Sequence, residues 1–144
     1  MKTRLGFLAL AALLSLSLFA GTTDGASKPA KPLHISKGQE VKLTDYVVPG
    51  KTTVFDFYSE FCGPCVQMSP SLEKLHSKRA DVVVVKVDIN RPGQKGIDWK
   101  SPVAQQYKLH SIPHFKVYGP DGKLLAEDTP GNAKARQLVT GMMN

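Results

Sequence analysis

Four consecutive valines at positions 82–85 limit most tightly how this chain can fold. The run continues with little polarity to Asp88, a pattern typical of a strand that is covered on both faces of a sheet. The segment Thr52–Tyr58 is also rich in β-branched and aromatic residues and predicts a second strand. Between the two, residues 62–79 carry apolar side chains at helical spacing. The chain therefore predicts a β-α-β unit built on a buried sheet.

Weaker signals complete the domain. They predict short β-like pieces in 33–48, including 40–43; a helix that starts at Ser101-Pro102 and runs through Lys108; strands at 115–118 and 123–127; and a last helix over 132–143, capped by Asn132. A Gly-Pro-Asp-Gly turn between the last two strands indicates a hairpin. The order β-α-β-α-β-β-α predicts an α/β fold, with a central mixed β-sheet flanked by helices on both faces.

The N-terminus has the layout of a secretory signal peptide. Lys2 and Arg4 precede an apolar run over residues 5–19, and small residues follow it. The run is shorter than the roughly 20 residues that a membrane span needs, although an uncleaved anchor stays an alternative. We therefore expect a signal peptide at 1–20 with cleavage between 20 and 26, a flexible lead-in at 21–32 and one domain at 33–144. The protein would be exported, and periplasmic in a Gram-negative source.

Composition narrows the classes of partner. About 120 residues remain after cleavage, which is the size of one domain, and 42% of the chain is hydrophobic. The formal charge is +7, and +7 − 2 = +5 remains once Lys2 and Arg4 are removed. The other basic residues are scattered rather than clustered into a stripe, so no nucleic-acid surface is predicted. We expect a monomer.

Cys62 and Cys65 are the only cysteines and enclose Gly63-Pro64. A disulfide across such a short loop does little to stabilise a fold, because its effect grows with loop length, so a reversible dithiol is the better interpretation. A helix start favours the thiolate through its free N–H groups and dipole. Gly63 permits a tight turn, and Pro64 suits an early helical position. We therefore expect Cys62 to attack and Cys65 to resolve the mixed disulfide.

Other chemistries of a CxxC pair fit less well. A zinc site needs about four ligands, and none of the four histidines stands at a recognisable spacing. Covalent haem attachment requires a histidine directly after Cys65, where Val66 stands instead. We expect neither a metal nor another cofactor. A non-catalytic module that binds a partner or a metal, with Met68 and His76 as further ligands, stays an alternative.

Residues 54–65, with the sequence VFDFYSEFCGPC, are similar to the strand–loop–helix signature of the thioredoxin family. Further matches in the family order are Pro70, Lys86, Ile112-Pro113 and Gly131. The resemblance implies a thioredoxin-like fold. It also implies that Pro113 is cis and faces the dithiol, so that the Ile112 backbone pairs with an extended substrate. The substrate-binding residues would be Phe61, Gly63, Pro64, Ile112 and Pro113.

Asp56 and Lys86 are charges within apolar strands, where an isolated ion is costly. Neighbouring strands would let them pair; the alternative is that both are strand-end charges in solvent. The resemblance implies that Asp56 lies beneath Cys65 and acts as the general base that deprotonates this thiol. Burial should raise the pKa of Asp56, and Lys86 should oppose part of that rise.

Several positions depart from the family pattern. Tyr58 and Phe61 stand where tryptophans are common, and His114 replaces a threonine after Pro113. The connection around 90–103 is longer than usual and carries the only tryptophan, Trp99. It could select partners or simply cover the core. The first helix of the family is not evident before Thr52.

The resemblance implies a thiol-disulfide oxidoreductase that reduces disulfides in protein clients, and the predicted signal peptide implies that it is exported. Gly63-Pro64 is the dipeptide of the reducing members of the family. Outside the cytoplasm such a protein would need an electron donor, for which we expect a membrane-embedded thiol reductase. A disulfide donor or isomerase is the alternative that an oxidising compartment favours.

Overall fold

The computed structural model describes residues 27–140, so the predicted signal peptide lies outside the described residues. In chain order the elements are β1 (Leu33–Ile35), a 3-10 helix (Leu43–Tyr46), β2 (Thr52–Tyr58), α1 (Gly63–Lys78), β3 (Val82–Asp88), α2 (Pro102–Gln106), β4 (His114–Tyr118), β5 (Leu124–Glu127) and α3 (Asp128–Thr140). The predicted β-α-β-α-β-β-α order is confirmed from β2 onwards. Before β2, where no first helix was predicted, the chain forms β1 and the 3-10 helix. No helix between residues 27 and 140 combines the length and the apolar character needed to cross a membrane.

The five strands form one sheet in the order β1-β3-β2-β4-β5. β3 is parallel to both β1 and β2, whereas β4 is antiparallel to β2 and β5. The predicted mixed sheet is therefore confirmed, with β2 and β3 near its centre. This position explains why both strands read as nearly continuous apolar runs rather than as alternating ones.

Alternate residues of the central strands build two separate cores. Phe55 and Phe57 pack with Val83, Val85 and Val87 against the 3-10 helix and α2. On the opposite face, the core consists of Val54, Leu72, Leu75, Val82, Val84, Phe115, Val117 and Ala135, from the sheet, α1 and α3. Each of the four valines at 82–85 is fully buried. The prediction of a strand covered on both faces is confirmed.

The β-like piece predicted at 40–43 is wrong, because no strand forms there and Leu43 begins the 3-10 helix. The backbone of Val41 finds side-chain partners instead of a strand. Its N–H donates to Oε1 of Gln106 at 3.0 Å, and its carbonyl accepts from the Tyr107 hydroxyl at 2.7 Å. α2 also ends before the predicted Lys108, which has a left-handed φ of 50°.

Asn132 does not cap the last helix, so that prediction is wrong. α3 begins four residues earlier, at Asp128. The Asn132 side chain instead reaches the start of β4. Its Oδ1 accepts from the N–H of Phe115 at 3.0 Å, and its Nδ2 donates to the carbonyl of Pro113 at 3.3 Å.

Part of the expected flexible lead-in packs against the end of α1. Lys28 donates from Nζ to the carbonyls of His76 and Arg79, where a cation is favoured by the helix dipole. The buried His76 accepts the N–H of Val84 at Nδ1, at 3.0 Å, and contacts the carbonyl of Pro29 through Nε2 at 2.8 Å. Both ring nitrogens are thus engaged by the backbone, which opposes the use of His76 as a metal ligand.

Gly38→Ala should destabilise the protein by about 2 to 4 kcal/mol. Gly38 has a φ of 78°, and a Cβ at this position would lie 2.6 Å from the backbone nitrogen of Arg91. Gly50 is the matched control, because its φ is 77° but its Cβ would meet nothing within 4 Å. Gly50→Ala should cost only about 1 kcal/mol for the left-handed backbone. Urea unfolding measures both variants, and equal losses would contradict a tight contact at Gly38.

Candidate active site

The cysteine pair occupies the first turn of α1. Cys62 is the N-cap, with φ −97° and ψ 104°, and Pro64 stands at the helix start. Cys62 and Cys65 form a disulfide with their Cα atoms 5.3 Å apart. The N–H of Cys65 donates to Sγ of Cys62 at 3.3 Å. The same N–H would stabilise a Cys62 thiolate after reduction.

A serine that the sequence analysis missed shapes the loop before α1. Ser59 is fully buried and follows β2 directly. Its Oγ accepts the N–H of Phe61 at 3.1 Å, and its carbonyl accepts the N–H of Cys62 at 3.1 Å. These bonds turn the chain from the sheet edge into the helix. The signal available in the sequence was a serine placed at a strand end, a residue type that hydrogen-bonds the backbone of turns.

The peptide bond between Ile112 and Pro113 is cis, as expected. The Ile112 carbonyl oxygen lies 3.7 Å from Sγ of Cys62, so this loop faces the disulfide. The hydrogen bonds from Asn132 to Pro113 and Phe115 connect the loop to α3. Because asparagine is a common helix cap, this role of Asn132 was not predictable from the sequence.

Asp56 and Lys86 form a buried pair, so the alternative of solvent-exposed strand-end charges is wrong. They are direct neighbours in the register of β2 and β3. Lys86 Nζ lies 3.4 Å from Oδ2 of Asp56, and the side chains are 2% and 1% exposed. Lys86 also donates to the Ser69 hydroxyl. Since Ser69 lies one helical turn after Cys65, Lys86 contacts α1 one turn beyond the position of Cys65.

Burial raises the pKa of Asp56 to about 6, and the Lys86 ammonium opposes part of that rise. Apart from the long 3.4 Å contact with Lys86, neither carboxylate oxygen of Asp56 has a hydrogen-bond partner among residues 27–140. Desolvation therefore dominates over ion pairing in this pair. A carboxyl group with such a pKa can hold or release a proton near neutral pH.

The predicted substrate-binding residues range from exposed to half-buried. Phe61 is 44% exposed, and Gly63 and Pro64 are also exposed. Ile112 and Pro113 are half-buried. His114 is buried, and its ring packs edge-on against Phe57 at 5.6 Å. Cys62 itself is only 4% exposed.

Within the described part of the chain, no group of three or more His, Cys, Asp or Glu side chains is arranged to hold a metal ion. The arrangement can instead perform dithiol–disulfide exchange. It combines a sulfur pair at a helix start, a facing backbone carbonyl and a buried carboxyl group of raised pKa.

Comparison with known proteins gives a consistent picture. A family model described as Thioredoxin matches residues 37–144. The chloroplast thioredoxin F of Oryza sativa subsp. japonica is 36% identical over 89 residues, which are 62% of this chain and 42% of that protein. The thioredoxin of Coprinus comatus is 33% identical over 100 residues, which are 68% of this chain and 83% of that protein. The chain thus spans less than half the length of the rice relative.

A crystal structure of thioredoxin f2 from Chlamydomonas reinhardtii has a TM-score of 0.54 and 28% sequence identity. The match covers 77% of this chain and 95% of the solved chain. The family match extends over more than half of the sequence and includes every strand from β2 to β5. This chain belongs to the thioredoxin family.

Proposed function

We propose that this protein is an exported thiol-disulfide oxidoreductase that reduces disulfides in protein clients. One observation carries the proposal: the Cys62–Cys65 disulfide lies at the start of α1, with the Ile112 carbonyl 3.7 Å from the Cys62 sulfur. A client strand that pairs with the Ile112 backbone would bring its own disulfide onto Cys62.

The reaction takes two exchange steps. In the reduced protein, the Cys62 thiolate attacks one sulfur of the client disulfide, and the other client sulfur leaves as a thiolate. Cys65 then gives its proton to Asp56 and attacks Sγ of Cys62, which releases the second client thiolate. The dithiol loses two electrons and becomes the Cys62–Cys65 disulfide, while the client disulfide gains them. Lys86 limits how far burial raises the pKa of Asp56, which keeps this base in a usable range.

The Gly63-Pro64 dipeptide supports electron flow from the dithiol of this protein to its client. Thioredoxin dithiols have potentials of about −270 mV, against about −120 mV for a strong periplasmic oxidant. The difference of about 150 mV corresponds to about 7 kcal/mol for two electrons and favours the oxidised site. Such a protein gives up electrons readily, so it needs a supply. Given the basic n-region and apolar run at the N-terminus, we propose export and a membrane-embedded thiol reductase as the donor.

The test is to trap thiols in living cells and to read the state of Cys62 and Cys65. We expect a largely reduced pair that becomes oxidised when the membrane donor is removed. A pair that is fully oxidised whether or not the donor is present would contradict reduction and support a disulfide donor. Equilibration of the purified protein with a glutathione buffer gives the potential and separates the same two functions.

A further inference from the structure

The connection between β3 and α2, residues 89–101, is held in one conformation by its own side chains. Arg91 donates to the Asp98 carboxylate from Nε at 2.7 Å and from a terminal nitrogen at 3.0 Å. The Asn90 side chain donates to the carbonyl of Gly96 at 2.6 Å and accepts the N–H of Asp98 at 3.4 Å. A bidentate ion pair fixes geometry as well as adding energy. The loop is therefore ordered before a partner binds.

The same connection is attached to the body of the fold at both ends. At its start, the N–H of Gly38 donates to the carbonyl of Asp88 at 2.9 Å, and at its end the carbonyl of Gly38 accepts the N–H of Val103 at 3.3 Å. The Gln105 side chain donates to the carbonyl of Trp99 at 2.7 Å. Trp99 is nevertheless 36% exposed. A rigid backbone thus presents a large aromatic side chain to the outside.

Trp99 forms one wall of an open groove of about 450 Å³. The other lining residues are Ala104, Gln105, Lys108, Leu109 and His110. Lys108 and His110 are basic, and none of the six is acidic. The neighbouring Lys100 is exposed, whereas the Asp98 carboxylate is already paired with Arg91. The groove therefore combines an aromatic wall with the cationic side chain of Lys108 and the imidazole of His110.

The chain segment that lines the groove continues into the loop that faces the active-site disulfide. β2 and β3 run parallel, and their carboxyl ends lie opposite each other. The segments that continue to Cys62 and to Trp99 therefore leave the sheet at the same end, which is where ligands of such sheets bind. His110 also stands two residues before Ile112, which faces Cys62. The 3.7 Å from Cys62 to Ile112 and the two-residue step to His110 together amount to at most roughly 10 Å, at about 3.3 Å per residue. An extended client would therefore reach the near end of the groove, at His110, about three residues from its attacked cysteine.

We propose that this groove binds the client segment that flanks the disulfide, and that it selects segments with an acidic side chain beside an apolar one. The inference rests on the proposed reduction of client disulfides. The apolar side chain would pack on Trp99, since tryptophan offers a large rigid contact area. The acidic side chain would lie against Lys108 and His110. Trp99 and Lys108 are then specificity-determining residues that do not touch the reacting sulfurs.

The test uses two synthetic peptides of equal length, each with one internal disulfide. One carries Glu-Leu three to five residues from a cysteine, and the other carries Lys-Leu at the same place. With the reduced full chain, kcat/KM should favour the acidic peptide by about tenfold, and salt should weaken the preference. Trp99→Ala and Lys108→Glu should each bring the ratio close to one or below. Leu125→Ala is the control, because Leu125 is 54% exposed on β5 and outside the groove.

Equal kcat/KM for both peptides, or a preference that survives Trp99→Ala, would overturn the inference. A small disulfide reagent tests the proposed function separately: if the wild type reduces the reagent but does not discriminate between the peptides, only the groove is rejected.

A second readout does not depend on redox activity. Trp99 is the only tryptophan, so its fluorescence in the oxidised full chain should change on titration with a serine-substituted acidic peptide and not with the lysine peptide. This result would support the groove even if no disulfide were reduced. A fluorescence change with protein concentration alone would assign the groove to a second copy of the chain and overturn the proposal.

Discussion

Cys62→Ser should lower disulfide reduction by about a thousandfold or more, whereas Cys65→Ser should stop after one step with the client still attached. The Cys62 sulfur caps α1 and receives the Cys65 N–H, so it is the sulfur whose thiolate the helix start stabilises. Cys65 is 1% exposed and can reach a client only through Cys62. Mass spectrometry of the two variants after mixing with a disulfide-containing protein measures the adduct directly.

Stability serves as the internal control for this pair of variants. Both lose the same four-residue disulfide loop, for which the chain-entropy relation gives about 2 kcal/mol. Their free energies of unfolding should therefore match, so a difference in adduct formation reflects chemistry and not folding. If Cys62→Ser captured clients as well as Cys65→Ser does, the assignment of the nucleophile would be wrong.

Asp56→Asn should slow the second exchange step by about a hundredfold and stabilise the protein at pH 8. The fold raises the pKa of Asp56 from 3.8 to about 6, so the folded chain holds this proton more tightly than the unfolded chain does. The contribution of Asp56 to stability is then complete below about pH 4 and is lost as the pH rises through about 6. The shift corresponds to about 3 kcal/mol, which the uncharged asparagine should not lose.

Urea unfolding of the oxidised protein from pH 4 to pH 8 measures this effect, because the disulfide-bonded cysteines do not titrate. The difference between Asp56→Asn and wild type isolates one carboxyl group and should grow with pH. Lys86→Met should move the transition to higher pH, since the ammonium opposes the rise in the pKa of Asp56. A difference that does not depend on pH, or that shrinks as the pH rises, would contradict the raised pKa.

The buried strands and the charged pair were predictable because each has a local signature. Four valines in a row indicate a strand covered on both faces, and charges within apolar strands have few ways to be satisfied other than pairing. The structure confirms both expectations, at 82–85 and at Asp56 and Lys86. The absence of a strand at 40–43, just before the 3-10 helix at Leu43–Tyr46, was not predictable from strand propensity. The backbone N–H and carbonyl of Val41 bond instead to the side chains of Gln106 and Tyr107, more than 60 residues away.

The role of Asn132 illustrates the same limit. An asparagine near a helix start is a common cap, and nothing local distinguishes it from one that bonds a distant loop. Its partners Pro113 and Phe115 lie 19 and 17 residues before it. They become available only because α3 packs on β4, so this contact depends on the assembled fold.

The amino-acid sequence alone was enough to predict a Cys62–Cys65 pair at a helix start, a buried central sheet and two opposite charges inside it. These follow from residue type, spacing and the cost of burying charge, all of which act locally. The surroundings of the disulfide, in contrast, depend on the tertiary fold. The Asn132 link to the Pro113 loop and the Trp99 groove each join segments that fold next to one another but are not adjacent in sequence. Periodicity reports which face of an element is buried, but the identity of its partner is set by packing.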